Sequence, residues 1–453
     1  MRDTFKNIYL GFVVSLTFFT CADKDESDQG AAGESYRSFT ADGAWCWFSD
    51  PRAIYFEGTY KRTYSGWVDS LGNIVVGSYD YADGKIRTKI LHERFERDDH
   101  DNPSFFMDSQ GKLMVFYSRH GTRNSPIFLA RSKNSEDISQ WEPVRKLRLN
   151  DTIAYAGLSN SYTYTNIVQL SEEKNKLYLF WRGADFKPNF SVSIDSGKNW
   201  DQGKILILPE RIYKNRRPYM KVASNNRDVI HFAFTDGHPN AEPTNSIYYA
   251  KYQGGALHKA NGEKIMDWSF LPLDPKQSDV VYNAAQSREK AWIWDVAENK
   301  AGNPVIVYSQ FPSDSNHVYY YSIYDEGRWN NYRLHDSGPW FPHTLAGATE
   351  REPNYSGGIV LDHEDPSNVY LSREKNGVFE LEKWTTDDSG KNWKVTVITK
   401  DSEFDNVRPF VVRNHADDSG IVLWMNIKKY LHYTDYQGEI KILVRHPRVV
   451  PVR

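Results

Sequence analysis

Cysteine is nearly missing from this chain: Cys21 and Cys46 are the only two in 453 residues. With Cys21 read below as a lipid attachment point, no intramolecular disulfide can form, and the fold has to rest on its core. An excess of either charge is missing as well. The formal net charge of −3 provides no long-range field, which argues against nucleic acid as a partner and leaves any anionic ligand to local Arg, Lys and His. After the first twenty residues no apolar run is long enough to cross a bilayer as a helix. No stretch of ten or more residues carries apolar residues at helical spacing, which removes helical bundles and alternating α/β folds.

Aromatic residues are plentiful, at 15% of the chain with 29 Tyr and 14 Trp. Such flat side chains are common where sugar rings have to be stacked. From about residue 36 the chain is a succession of four- to eight-residue runs rich in Val, Ile, Tyr, Phe and Trp, among them NIVVGSYDY, KLMVFYSR, KLYLFWRG and VIHFAFTD. Turn signals such as Leu71-Gly72-Asn73 and Ala301-Gly302-Asn303 separate them, so the chain reads as all-β. Ser193-Ile-Asp195-Ser-Gly197-Lys-Asn-Trp200 and Thr386-Asp-Asp388-Ser-Gly390-Lys-Asn-Trp393 repeat the pattern Ser/Thr-x-Asp-x-Gly-x-x-Trp, and Ser132 to Trp141 reads as a degraded third copy. This is the Asp-box, a hairpin turn in which Asp bonds turn amides, Gly takes positive φ and Trp packs between strands. It marks a β-propeller and serves structure rather than chemistry. At about 60 residues per blade, residues 37–453 make one seven-bladed domain, with six and eight as alternatives.

The N-terminus carries an address. Arg2 and Lys6 precede an apolar run from Ile8 to Phe19 that ends at Thr20-Cys21. A basic start, a dozen apolar residues and a small-residue junction make a secretory signal over 1–20, with Cys21 as the lipidated residue of the mature chain. Residues 21–36 are acidic and Gly/Ser-rich, which suits a flexible tether. The expectation is a monomeric outer-membrane lipoprotein, exposed at the cell surface. Plain secretion is the alternative.

Four segments combine polar and aromatic groups in ways that a blade core does not need. They are Gly43-Ala-Trp-Cys46-Trp-Phe-Ser-Asp50-Pro-Arg52; Arg97-Asp-Asp-His100-Asp-Asn102 with Tyr117-Ser-Arg119-His120; Tyr162-Thr-Tyr164 with Phe180-Trp-Arg182; and Arg217-Pro-Tyr219-Met-Lys221 with His231 to His238. In this order they resemble the BNR-repeat family that contains the propeller-type ulvan lyases and related rhamnosyl-glucuronate hydrolases. DDHDNP, YSRHG, LFWRG and FTDGHP carry the resemblance, which runs over nearly the whole mature chain.

The resemblance implies a lyase that cleaves ulvan, an anionic polymer of sulfated rhamnose and uronic acid, by β-elimination. Such an enzyme lifts the C5 proton beside a carboxylate and expels the C4 oxygen. It needs a cation for the carboxylate, a base, and an acid for the leaving oxygen. By resemblance His120 is the base, Tyr164 the proton donor, and Arg182 the partner of the carboxylate with His100 assisting. Tyr219, Arg119, Asn102 and Lys221 are expected to bind substrate. Tyr162 competes with Tyr164, because the Tyr164–Arg182 spacing is two longer than the family pattern. The extra length can be placed in the Ser171–Lys176 turn.

Each residue also has a plain reading: His, Tyr and Arg in a propeller are most often hydrogen-bonded blade residues. The chemistry needs no cofactor. By resemblance alone, Cys46, His231 and His238 could hold a structural Zn²⁺, with His335, His343 and His363 as further ligands. Two rival functions stay open. A glycoside hydrolase would use Asp50, Asp236 or Glu352, although no carboxylate pair stands out. A non-catalytic glycan-binding lipoprotein would use the aromatics as platforms. A sialidase fits less well, since no Arg-Ile-Pro segment precedes the first Asp-box.

Overall fold

The computed structural model describes residues 34–120, 122, 124–150, 161–209, 217–416 and 422–445. The signal segment, Cys21 and most of the expected tether lie outside them. Among the described residues the strands form seven sheets, all with antiparallel neighbours, arranged as the blades of a propeller. Among the described residues the helical content amounts to a few short turns, such as Ala284–Ser287, and no helix there is long and apolar enough to cross a membrane.

The first strands of blades one to seven begin at Ala53, Ser104, Thr163, Met220, Ala291, Ile359 and Asp405. First strands of successive blades contact one another, which makes them the wall of the central axis. Blade four is extended to six strands by Ala256–His258, Lys264–Asp267 and Asp279–Tyr282. The ring closes through the N-terminus: Glu34–Thr40 forms the outer edge of blade seven and pairs with Asp435–Arg445. The first strand therefore begins at Glu34, inside the stretch read as tether.

The core consists of apolar layers between neighbouring blades rather than one central mass. Ile54, Tyr64, Val76, Phe105 and Val115 fill the space between blades one and two. Phe116, Leu129, Ile167, Leu179 and Trp181 do so between two and three. Both Asp-boxes take the expected form. Asp195 accepts from Ser193 Oγ at 2.9 Å and from the Asn199 amide at 2.8 Å, and Asp388 repeats both bonds with Thr386 and Asn392. Gly197 sits at φ 79°, and a Cβ there would lie 2.4 Å from Met114 Cε, so shape and backbone both require glycine. Trp200 meets Phe116 of the preceding blade, and Trp393 meets Tyr321 in the same way.

The Gly43–Asp50 segment is the plug of the axis. Trp45, Cys46, Trp47 and Phe48 are each at most 1% exposed. Trp45 Nε1 donates to the Arg408 carbonyl in blade seven and Trp47 Nε1 to that of Ile293 in blade five. Asn166 of blade three donates to the Phe48 carbonyl at 2.9 Å. Arg408, fully buried, donates to the Trp45 carbonyl and to Asp99 Oδ2, both at 2.7 Å. A segment read as chemical in the sequence is thus first a piece of architecture.

Candidate active site

A cavity of about 390 Å³ opens at the end of the axis where the inner strands of blades three and four begin. His100, His120, Tyr164, Arg182, Tyr219 and His238 line it, together with Ser161, Thr122, Phe186, Arg217, Glu352, Tyr355 and Tyr433. The plug is its floor, because Phe48 packs against both Tyr164 and Tyr219.

The loop before blade two and the end of that blade's second strand bring the two histidines together. Asp98 caps the short turn Asp99–Asp101 by accepting from the His100 amide. Its Oδ1 also takes His100 Nδ1 at 2.7 Å, and its Oδ2 takes His120 Nδ1 at 2.9 Å. Both imidazoles therefore direct Nε2 away from Asp98. His100 Nε2 meets the Tyr355 hydroxyl at 3.2 Å, while His120 Nε2 has no protein partner among the described residues.

Their protonation divides accordingly. Burial opposes charge on His100, but Cys46, Asp98 and Asp99 outweigh it and hold the ring well above its usual pKa. His120 is pushed down to about 4, mostly by burial and then by the adjacent His100, against the pull of Asp98. Near neutral pH one ring is cationic and the other carries a free lone pair on Nε2. Asp98 itself resists ionisation through burial, yet the two histidines hold it far below the usual carboxylate range.

Tyr164 has φ 61°, a left-handed conformation that is an outlier for a bulky residue. The register of its hairpin shifts between Thr163 and Asn166, and this irregularity turns the ring into the cavity. Burial keeps the phenol well above its usual pKa, so it stays protonated. Tyr162 is different: it is 1% exposed, stacks on Trp181 and accepts the Asn150 amide, which places it in the core. The Ser171–Glu173 turn lies at the far end of the hairpin, so its length leaves Thr163 paired with Arg182.

Arg182 is 7% exposed and has no carboxylate partner among the described residues. Its Nε donates to Thr163 Oγ1 at 3.0 Å and one terminal nitrogen donates to the Tyr219 hydroxyl at 2.8 Å. Its guanidinium lies 4.4 Å from the Tyr164 ring centroid. A buried cation without an anion is costly unless something anionic arrives.

Several expected residues lie elsewhere. Lys221 is 1% exposed and bonds Asp50 and the Trp47 carbonyl, so it is a tie-rod of the plug and not a substrate ligand. Asn102 is also 1% exposed and accepts from the Cys46 amide at 3.0 Å, another plug contact. Arg119 turns away from the cavity to cover Phe95, with 4.5 Å to the ring centroid. The expected zinc donors do not converge. His231 is bonded to Tyr249 and Glu298, at 2.7 and 2.8 Å, and His238 faces the cavity. The Cys46 sulfur lies instead within 4.8 Å of donor atoms of Asp99 and His100. His335, His343 and His363 hydrogen-bond to Asp336, Asp405 and Asp295 respectively.

Of the three carboxylates weighed for hydrolysis, Asp50 is locked to Arg52 and Lys221 and Asp236 is bonded to Ser246 and Tyr248. Glu352 alone reaches the cavity. Burial, helped by Glu350 and Asp99 and opposed by His100, lifts it to about 7. Tyr355 and Tyr433 were not singled out in the sequence. Tyr433 sets its edge against both histidine rings, and no motif marks it among 29 tyrosines.

Comparison with known proteins agrees with this fold. The profile described as BNR repeat-containing family member matches residues 62–337. An ulvan lyase of Alteromonas sp. (strain LOR) is 24% identical over 182 residues, which is 38% of this chain and 32% of that protein. The match thus spans about a third of that relative's length. The structure of an ulvan lyase bound to -[GlcA(1-4)Rha3S]- superimposes with a TM-score of 0.67 at 14% identity, covering 89% of this chain and 94% of the other. A second polysaccharide lyase gives 0.56 at 11% identity, covering 91% and 98%.

Proposed function

The chain belongs to the BNR repeat-containing family, and from that premise we propose that it is a polysaccharide lyase cleaving ulvan by β-elimination at the uronate. The observation that carries the reading is Arg182, a buried guanidinium held by two hydroxyls with no carboxylate partner among the described residues. A uronate carboxylate in the cavity supplies the missing anion. Neutralising it lowers the cost of the carbanion-like charge that builds as C5 loses its proton.

His120 Nε2, unprotonated at neutral pH, takes the C5 proton. The C5–H electrons form the C4–C5 double bond, and the C4–O bond breaks. The Tyr164 hydroxyl passes its proton to the departing glycosidic oxygen. Asp98 holds the proton on Nδ1 of His120, so that Nε2 is the basic nitrogen. The similarity in fold to ulvan lyases supports the substrate class.

Mixing the purified protein with ulvan and following ultraviolet absorbance tests this directly. Unsaturated uronate must accumulate, and the rise must vanish in a folded His120→Ala variant. Glu352 favours one second reading. Held near pH 7 in the same cavity, it could protonate a glycosidic oxygen in a hydrolase acting on rhamnosyl-glucuronate linkages. New reducing ends without absorbance would select that reading. Substrate affinity that survives loss of both His120 and Tyr164, with no product of either kind, would select a binding protein. Export and attachment through Cys21 are part of the proposal, and labelling with a radioactive fatty acid in a Cys21→Ser comparison tests them.

A further inference from the structure

Tyr164 sits in a bulge. Thr163 pairs with Arg182 and Asn166 with Phe180, so Tyr164 and Thr165 together stand opposite Trp181 alone. An extra residue is not held by the ladder. At φ 61° Tyr164 is also in a conformation that a bulky residue leaves unless its surroundings fix it. Its hydroxyl has no hydrogen-bond partner among the described residues. The phenol is therefore aimed by ring packing on Phe48 and Arg182 and by its own backbone.

Asn166 is the residue placed to fix that backbone. It is 4% exposed, and its Nδ2 donates both to the Tyr164 carbonyl and to the Phe48 carbonyl, each at 2.9 Å. Two acceptors set the orientation of the amide, since only its nitrogen end has two protons to give. The backbone of Asn166 is also bridged to that of Asp50 in the plug. Phe48 in turn packs its ring against Tyr164 and Tyr219, at centroid distances of 5.3 and 4.8 Å. One amide thus joins the strained residue to the floor beneath it.

The other residues of the bulge have separate partners. Thr163 Oγ1 accepts from Arg182 Nε at 3.0 Å. Thr165 Oγ1 donates to the Phe116 carbonyl at 3.2 Å and meets Ser104 Oγ at 2.9 Å, both in blade two. Among these side chains Asn166 alone bonds the Tyr164 carbonyl. Serine, threonine or leucine there lacks the pair of donors that the two carbonyls take.

Resting on the lyase reading above, we propose that Asn166 is the positioning residue for Tyr164. Its amide holds the backbone of the proton donor to the cavity floor, and so sets where the phenol meets the departing oxygen.

Two variants test this with ulvan as substrate and ultraviolet absorbance as the readout. Asn166→Ala removes both donors, and Asn166→Ser leaves one hydroxyl for two carbonyls. A misplaced proton donor should lower kcat by about 10²-fold in Asn166→Ala, and by less in Asn166→Ser, with KM little changed. The same substitutions are then made in Tyr164→Phe. With the donated proton already gone, they should cost almost no further turnover, whereas a general structural effect costs the same factor in both backgrounds. Equal factors, or full turnover in both single variants, overturn the proposal. A crystal structure of either folded variant gives a readout independent of activity. Tyr164 should leave φ 61°, and its ring should move from the 4.4 Å contact with the Arg182 guanidinium. A backbone and ring that stay in place overturn the proposal. If the parent forms no unsaturated product, the lyase reading fails by itself, and the crystal structure still decides whether Asn166 holds Tyr164.

Discussion

His100 and His120 stack with ring centroids 4.2 Å apart and planes 16° from parallel, and a single carboxylate, Asp98, takes the Nδ1 of each. Two cations this close would repel, so the pair holds one proton more readily than two. The asymmetry comes from what lies behind each ring. His100 is backed by Asp99 and Cys46, and His120 is not.

Asp98→Asn removes the acceptor that fixes the tautomer of His120 and anchors Nδ1 of His100. The expected result is a fall in kcat of about 10²–10⁴ with substrate affinity largely kept, by analogy with the loss of an orienting carboxylate elsewhere. In the parent, His120 must be neutral to act, so kcat/KM should decline only as pH falls through about 4, not through 6.5. A pH profile of both proteins checks this. An acid limb near 6.5 in the parent would remove His120 from the role of base.

Tyr164→Phe keeps the ring, its packing on Phe48 and its cation–π contact with Arg182 while removing the hydroxyl. Turnover should drop by about 10²–10⁴ with little change in melting temperature. The same change at Tyr162 should do the reverse, because that hydroxyl serves the Asn150 amide in the core.

Glu352 gives the alkaline side of the profile. Below about pH 7 it is neutral, and above it a negative charge stands in the cavity proposed to receive a uronate. Its neighbours are His100, Asp99 and Arg408, with Glu350 on its own loop and Tyr355 and Tyr433 across from it. KM for an anionic polymer should therefore rise as pH passes through 7, and Glu352→Gln should flatten that rise. Linkage adds a second readout. With its folded pKa above its unfolded value of 4.5, the group's contribution to stability is full below 4.5 and is lost as pH climbs to 7, and the Gln variant lacks that loss. If activity itself collapses in Glu352→Gln at every pH, the hydrolase reading gains.

Lys221→Met should cost about 3–5 kcal/mol of stability, because it removes the cation with the strongest pull on the buried Asp50 carboxylate and leaves it to Arg52 and the Arg413 charge. Denaturant unfolding measures this. Asp50→Asn in the same chain should return part of it. An unchanged midpoint with a raised KM would restore Lys221 to substrate binding.

The blades and Asp-boxes were legible because they depend on local patterns: two-residue alternation, and a turn whose Asp, Gly and Trp have fixed offsets. The cavity was legible in part. His100, His120, Tyr164, Arg182, Tyr219 and His238 do meet there, drawn from loops and strand ends of blades one to four. The errors share one cause. Tyr219 and Lys221 are two apart and face the same way, but two residues of strand is about 6.6 Å of depth, enough to carry Lys221 below the floor. Residues beside a functional one in sequence were read as functional, although Asn102 and Arg119 point to the plug and to Phe95. In the sequence Glu352 stands out only as a hydrolase acid, and neither Tyr355 nor Tyr433 stands out as a site residue. They come from late blades with no motif, and only ring closure brings them to the site.

That closure sets an order in time. Glu34 pairs with Arg445, so the strand that leads the domain must wait for about 400 residues before its partner exists. At synthesis rates of ~5–20 residues per second, that wait is about 20–80 s, during which Glu34–Thr40 is an unmated β-edge open to wrong partners. Early blades can assemble one after another, but the cavity cannot, since Tyr433 and the Arg408 brace arrive last. A chain cut short before Asp435 would carry every side chain of the cavity and still lack the strand that Glu34–Thr40 pairs with to close the ring.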